Sequence, residues 1–325
     1  MRPEFNLVEH SVRSFAKQKN VDKIFLVTDL NVATLSAGFL SDAEWIVIPS
    51  GEQNKTLTSA ELIWRRMSDG GATRQSLVVN LGGGMITDLG GFAAATFKRG
   101  IRFINLPTTL LGAVDAAVGG KTGVDFNGLK NEIGVFQEAE YVTPLTFMFE
   151  YLPEREWLSG CGEVLKTAIL AGGNWLETVA TDDFFEKRDV GIVNDIVLFC
   201  VKFKRKIVSD DFHDRGRRRI LNFGHTYGHA LETLMLEKGT PLPHGIAVAY
   251  GIEYALRLSV ERQGVGKNLL RKYRDILSRY FPPVELSSQD KTRISYLMNF
   301  DKKNKRFGKP EFVLLGDFCD DTVNL

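Results

Sequence analysis

Four short apolar runs, each closed by residues that end a strand, constrain the first half of this chain more than any other feature. They are KIFLVTD (23–29), EWIVIPSG (44–51), SLVVNLGGG (76–84) and RFINLPTT (102–109). Runs that are nearly all apolar, rather than alternating, suit parallel strands buried on both faces. Between the second and third lies a helical pattern. Thr58 and Glu61 read as a capping box, Ala60, Ile63, Trp64 and Met67 form one apolar stripe, and Gly70 and Gly71 end it. Strand–helix–strand order predicts an open α/β sheet, whose ligands bind beyond the carboxyl ends of the strands. Asp29, Gly82, Gly83, Gly84, Thr108 and Thr109 fall at such ends.

From about Leu152 the strand runs disappear and long amphipathic patterns replace them. Pro153 disfavours helix at the residue before it, which marks a boundary. Helices are expected over 154–170, 195–208, 226–236 and 246–260. A chain of 325 residues has room for two domains. The expected division is an α/β domain over 1–151 and an all-α domain over 152–325.

The balance of charge adds little. Lys and Arg number 41 and Asp and Glu 40, so no polyanionic partner is indicated. KFKRK (202–206) and RGRRR (215–219) read as solvated helix faces rather than a nucleic-acid patch. Cys161, Cys200 and Cys319 lack metal or redox spacing, and an odd, sparse count fits a reducing compartment. No apolar stretch reaches 18 residues and MRPEFNLVEH has no signal-peptide core, so a cytoplasmic protein without a membrane partner is expected.

Three motifs bear on chemistry. GGKTG (119–123) looks like a phosphate-binding loop, but G-x-x-x-x-G-K-[ST] needs glycine where Asp115 stands. GGGMITD (82–88) follows a strand and opens a helix, as a pyrophosphate-binding turn does, yet Thr87 occupies the last glycine position of G-x-G-x-x-G. His225, His229 and His244 fall within 20 residues of one another, which points to a divalent metal. Spacing alone favours the i, i+4 pair His225 and His229 as ligands, with His244 in a loop feeding the next helix. Glu163 and Lys166 lie on one helix face, where an ordinary i, i+3 ion pair is the simpler reading.

Taken together, GGGMITDLGGFAAATFKRGIRFINLPTTLLGAVDAAVGGKTGVDFNGLKNEIGVF, LPEREWLSGCGEVLKT, GRRRILNFGHTYGHALE and PHGIAVAYGI resemble the 3-dehydroquinate synthase family of sugar phosphate cyclases, from about Asp29 to Lys302. The resemblance implies a Rossmann-like α/β domain with a parallel sheet followed by a helical domain. It implies cyclisation of the seven-carbon keto-acid phosphate DAHP, with NAD as a catalytic redox cofactor and one divalent metal, zinc or cobalt. The metal ligands it implies are Glu163, His225 and His244, which displaces His229 to the substrate pocket. Cofactor contacts would be Asp29, Glu52, Lys55, Gly82, Gly83, Gly84, Asp88, Thr108, Thr109, Lys130 and Asn131. Substrate and catalytic contacts would be Asp115, Lys121, Asn131, Lys166, Lys204, Arg218, Asn222, His229 and Lys302. Arg99 is expected to reach across a homodimer interface. Lys204 and Arg218 would turn inward while the rest of the basic cluster stays solvated.

Three departures stand out against that pattern. Ile246 replaces a glutamate after the third metal ligand, Tyr151 replaces a threonine that touches NAD, and the N-terminus is too short for the usual opening strand pair. The alternatives are another sugar phosphate cyclase, such as a 2-deoxy-scyllo-inosose or 2-epi-5-epi-valiolone synthase, a metal-dependent polyol dehydrogenase, and a homologue that only binds NAD. Arg218 and Asn222 match the dehydroquinate pattern and argue against the first.

Overall fold

The computed structural model describes residues 2–299 and 310–318. The chain divides into two compact units, Met1–Tyr151 and Leu152–Leu325. Lys302 lies outside the described residues.

The first unit begins with helix α1 (Pro3–Gln18), where Phe5, Val12 and Ala16 are buried. Then follow β1 (Ile24–Asp29), α2 (Leu30–Leu35), β2 (Glu44–Ile48), α3 (Leu57–Asp69), β3 (Leu77–Gly82), α4 (Gly84–Thr96) and β4 (Arg102–Pro107). These strands form one parallel sheet in the order β2-β1-β3-β4. Successive side chains alternate between two cores, as the pleat requires. Phe25, Val27, Val78 and Phe103 pack under α3 and α4. Leu26, Leu77, Val79, Ile104 and Leu106 pack with Phe5 and Val12 of α1. Burial on both faces explains why the runs read as continuously apolar.

Helix α3 starts earlier than its sequence pattern suggests. Its N-cap is Thr56, whose Oγ1 accepts from the Ser59 amide at 3.2 Å, so Thr58 is not the cap. The stripe itself is real: Ala60, Ile63 and Met67 are buried and Gly70 is the C-cap. After β4 comes a π-helical turn, Gly112–Ala116, and then an antiparallel hairpin, β5 (Lys121–Phe126) and β6 (Leu129–Phe136). Asn127 and Gly128 turn it with φ of 50° and 75°, the signature of a two-residue hairpin loop.

The second unit is helical: α5 (Glu154–Ala171), α6 (Trp175–Val179), α7 (Asp182–Phe185), α8 (Val190–Asp210), α9 (His225–Glu237), α10 (His244–Gln263), α11 (Lys267–Tyr280) and α12 (Ser288–Met298). Gly160 and Gly162 do not interrupt α5, which is buried almost throughout from Trp157 to Ile169. His244 is the first residue of α10 rather than part of the preceding loop. Ile246 is fully buried in α10, so an apolar side chain suits the position it occupies here. Among the described residues no helix is long and apolar enough to cross a membrane.

Candidate metal and cofactor sites

In the second unit a buried carboxylate faces two imidazoles, and a third imidazole lies beside those two. Glu163 comes from the middle of α5, His225 and His244 open α9 and α10, and His229 sits one turn into α9. Glycines make the approach possible. A Cβ on Gly162 would lie 1.9 Å from the Gly245 carbonyl oxygen, and one on Gly245 would lie 1.7 Å from that of Ser159. The two backbones therefore touch directly, and each contact residue neighbours a site residue: Gly162 precedes Glu163, and Gly245 follows His244. Ser159 Oγ accepts from the Gly245 amide at 3.0 Å, satisfying one of the open donors at the start of α10. A second close contact sets His225: a Cβ on Gly251 would lie 1.9 Å from the Gly224 carbonyl oxygen, and Gly224 has φ of 80°.

Glu163 Oε1 lies 3.6 Å from His225 Nε2 and 3.7 Å from His244 Nε2. The imidazole nitrogens of His225, His229 and His244 can also come within 4.8 Å of one another. Two triads can be drawn from these residues: the three histidines, whose nitrogens lie within 4.8 Å of one another, or Glu163 with His225 and His244, the set that the resemblance implies. The opposite ring nitrogens of His225 and His244 bear on which of their atoms faces Glu163. His225 Nδ1 faces the Phe223 carbonyl at 3.3 Å and His244 Nδ1 faces Glu232 Oε2 at 3.2 Å. An oxygen at Nδ1 holds the proton there and leaves the Nε2 lone pair toward Glu163. Glu163 is 1% exposed, and neither of its oxygens has a well-formed hydrogen bond, though the Lys166 ammonium pairs with Oε2. Lys166 compensates Oε2, and the buried Oε1 beside the two imidazoles is the atom that a bound cation would satisfy. The donor set, two imidazoles and a carboxylate, fits a catalytic zinc or cobalt ion.

Two further buried cations belong to this unit. Lys204 of α8 and Arg218 of the Arg217–Asn222 turn are nearly inaccessible, whereas Lys202, Arg205 and Arg215 are exposed. Arg218 donates to the Phe212 carbonyl at 2.7 Å. Its loop is built around Asp211, whose carboxylate accepts from the amides of Arg215, Gly216 and Arg218 at 2.9, 2.7 and 3.1 Å. Those amides, Arg215 foremost, hold the Asp211 carboxyl below its usual range. Asn222 ends the same turn, one residue before Phe223, whose carbonyl faces His225.

In the first unit the carboxyl ends of β1, β3 and β4 carry Asp29, Gly82–Gly84 and Thr108–Thr109. Asp29 caps α2, accepting from Asn31 and Val32 amides and from Ser50 Oγ. The three glycines keep negative φ, so crowding rather than an unusual backbone demands them. A Cβ on Gly82 would lie 2.7 Å from Ile86, one on Gly83 3.0 Å from Thr109, and one on Gly84 2.9 Å from Ala116. Helix α4 starts without a side-chain cap; its Ile86 amide bonds the Gly83 carbonyl, and the amides before it suit an anion. Thr108 Oγ1, buried at the same strand end, has no partner. Both features fit a dinucleotide laid across the ends of β3 and β4.

Beside that edge Lys55 is buried among three carboxylates: Glu52 at 2.5 Å, Asp88 at 3.4 Å and Asp125 at 3.8 Å. Burial opposes its charge, but Asp88 and Glu52 hold the ammonium well above its ordinary range. Burial pushes the Asp88 carboxyl up to about 7 against the pull of Lys55, with the charges of Glu52 and Asp115 adding to the rise. Asp125 also accepts from the Asn131 amide at 2.8 Å, and its own amide donates to the Lys55 carbonyl at 2.8 Å. It therefore ties the β5–β6 hairpin, which carries Lys130 and Asn131, to Lys55. Asp115 lies in the π-helical turn and the exposed Lys121 opens β5. Arg99 is exposed and has φ of 68° beside Lys98 at 50°. Tyr151 is exposed at the end of the unit, with the Arg2 guanidinium 5.1 Å over its ring.

Asp125, Asp211 and Glu232 were not legible as functional residues in the sequence. Glu232 had a weak signal: it is i+7 from His225 and i+3 from His229, on the same face of α9. The other two act through main-chain amides, which carry no residue signature.

An α/β unit followed by a helical unit is a fold shared with other synthases in solved structures. A 2-deoxy-scyllo-inosose synthase, complexed with carbaglucose-6-phosphate, NAD+ and Co2+, superposes with a TM-score of 0.81 at 23% identity, over 95% of this chain and 88% of that one. A 2-epi-5-epi-valiolone synthase from Streptomyces hygroscopicus, with NAD+ and Zn2+ bound, gives 0.73 at 23% identity over 85% and 81%. At this identity the likeness is one of fold. The sequence comparisons are narrower. Models of the 3-dehydroquinate synthase N-terminal and C-terminal regions match residues 45–159 and 160–304. The 3-dehydroquinate synthase of Parabacteroides distasonis is 39% identical over 323 residues, 98% of this chain and 91% of the relative. The chain belongs to the 3-dehydroquinate synthase family.

Proposed function

We propose that this protein converts DAHP to 3-dehydroquinate and phosphate, using NAD catalytically and a divalent metal held by Glu163, His225 and His244. The observation that carries the reading is the convergence of Glu163 Oε1 on His225 Nε2 and His244 Nε2, in a chain whose two halves match the two regions of this family. When bound, NAD supplies a hydride acceptor that is regenerated within each turnover, and the metal supplies a positive charge that polarises the reacting hydroxyl and carbonyl.

The chain's own groups would do the rest. Lys166, Lys204 and Arg218 offer buried positive charge to the substrate's phosphate and carboxylate, where exclusion of water strengthens each contact. Lys166 would exchange part of its hold on Glu163 for the substrate as the metal takes up the carboxylate's charge. His229, on the same face of α9 as His225, would move a proton at the substrate. In the first unit Lys55, Glu52 and Asp88 would hold the cofactor's polar groups, the α4 amides its pyrophosphate, and Thr108 Oγ1 would gain its missing partner. Asp115, Lys121, Lys130, Asn131 and Asn222 complete the contacts, with Lys302 expected beside them. The reading extends to a cytoplasmic homodimer in which Arg99 serves the neighbouring subunit.

The test is phosphate release from DAHP by the purified protein with catalytic NAD+ and zinc, absorbance at 340 nm being followed in parallel. Metal-dependent phosphate release without net NADH supports the proposal. Net NADH formation would point to a dehydrogenase, and metal binding without phosphate release would point to another cyclase substrate or a binding-only homologue.

A further inference from the structure

We infer that Glu232 is a positioning residue for the metal site, selecting the tautomer and ring orientation of His244. This rests on the reading that His244 is a metal ligand. Glu232 and His244 belong to different helices, and their contact at 3.2 Å joins Oε2 to Nδ1. Nδ1–H then donates to the carboxylate. Nε2 is left unprotonated on the opposite side of the ring, where it faces Glu163 Oε1 at 3.7 Å. Without an acceptor at Nδ1, the proton could reside on either nitrogen and the ring could rotate, so only a fraction of molecules would present Nε2.

The placement suits that task. Glu232 lies on the His225–His229 face of α9, two turns from His225, and its side chain is mostly shielded from water. A shielded carboxylate makes a charge-assisted hydrogen bond stronger than a neutral one. It also increases electron density on the imidazole, making Nε2 a better donor. His225 receives the corresponding support from a main-chain carbonyl, that of Phe223. His244 opens α10 directly after Pro243, so its ring orientation is set at a helix start, where a side chain from α9 reaches it. The second unit thus orients each imidazole by a different device, one from the backbone and one from a side chain.

The test measures zinc affinity of the apoprotein by competition with a chromophoric chelator, which needs no turnover. Glu232→Ala should weaken zinc roughly 10- to 100-fold, the range for loss of such a partner. Glu232→Gln keeps only a neutral acceptor for Nδ1–H and should weaken it by a smaller but measurable factor, roughly three- to tenfold. Circular dichroism and thermal melting accompany each variant. Should the alanine variant fail to fold, the glutamine variant decides: a measurable loss supports the inference and wild-type affinity overturns it. Wild-type affinity in Glu232→Ala overturns it as well, as does equal loss in both folded variants. His244→Ala separates this from the underlying reading. If that variant keeps full zinc affinity, the ligand assignment has failed; if it loses zinc while Glu232→Ala does not, only the role of Glu232 has failed.

Discussion

Gly162 and Gly245 touch backbone to backbone where α5 meets the first turn of α10, with no room for a methyl group on either. Their chain neighbours Glu163 and His244 are brought to 3.7 Å by that contact. Gly162→Ala should therefore push the two helices apart. The expected result is a loss of about 1–3 kcal/mol or more of unfolding free energy and markedly lower zinc content in whatever remains folded. Urea denaturation and metal analysis check both; a variant with wild-type stability and one zinc per chain would show that the contact does not set the site.

The two triads at the metal cluster make different predictions. His244→Ala should lose zinc and turnover together, whereas His229→Ala should keep one zinc per chain and lose turnover by roughly 100-fold or more, as for loss of a general acid–base group. Metal content of the two purified variants decides it. Zinc lost from His229→Ala and kept in His244→Ala would reverse the assignment.

Asp88 gives the apoprotein a pH-dependent stability of a definite sign. Its carboxyl is pushed up to about 7 in the fold from an ordinary value of 3.8. Between these values the folded protein holds a proton that the unfolded chain releases, so stability falls as pH rises through this window and levels off above it. Asp88→Asn should flatten that part of the profile. Denaturant midpoints measured from pH 4 to pH 8 in both proteins are the check, and identical slopes would remove Asp88 as the cause.

Asp211 gathers three main-chain amides in the loop that presents Arg218. Asp211→Ala should displace Arg218 and lower kcat/KM by roughly ten- to a hundredfold, mainly through KM, while zinc affinity stays unchanged. If Arg218→Ala is inactive and Asp211→Ala is not, the loop keeps its shape without this carboxylate.

Arg99 carries a prediction about assembly. If it serves the neighbouring subunit, mixing inactive Arg99→Ala and Lys166→Ala homodimers and allowing exchange should restore about a quarter of wild-type activity, because half of the dimers then carry one intact site. No recovery after demonstrated exchange would place Arg99 in its own subunit's site or outside any site.

Local pattern was enough to place the parallel strands, the stripe of α3 and the change to helices at Leu152, because each rests on the period of neighbouring residues against one buried face. The separated motifs were likewise enough to indicate the family. Local pattern failed where a competing local group existed: Thr56 rather than Thr58 caps α3, since its backbone is extended and its hydroxyl reaches the Ser59 amide. The Asn127–Gly128 pair is a turn signal in the sequence, and the structure makes it the loop of the β5–β6 hairpin. The cluster of Glu163 and the histidines is a different case. Spacing along α9 pairs His225 with His229, but Glu163 reaches His225 across 62 residues of chain, and His244 reaches Glu163 across 81. That meeting depends on glycines that let helix backbones touch, and on oxygens at two Nδ1 atoms that turn Nε2 inward. Periodicity reports which face of a helix is buried; which helix lies against that face, and how closely, is decided only when the whole unit packs.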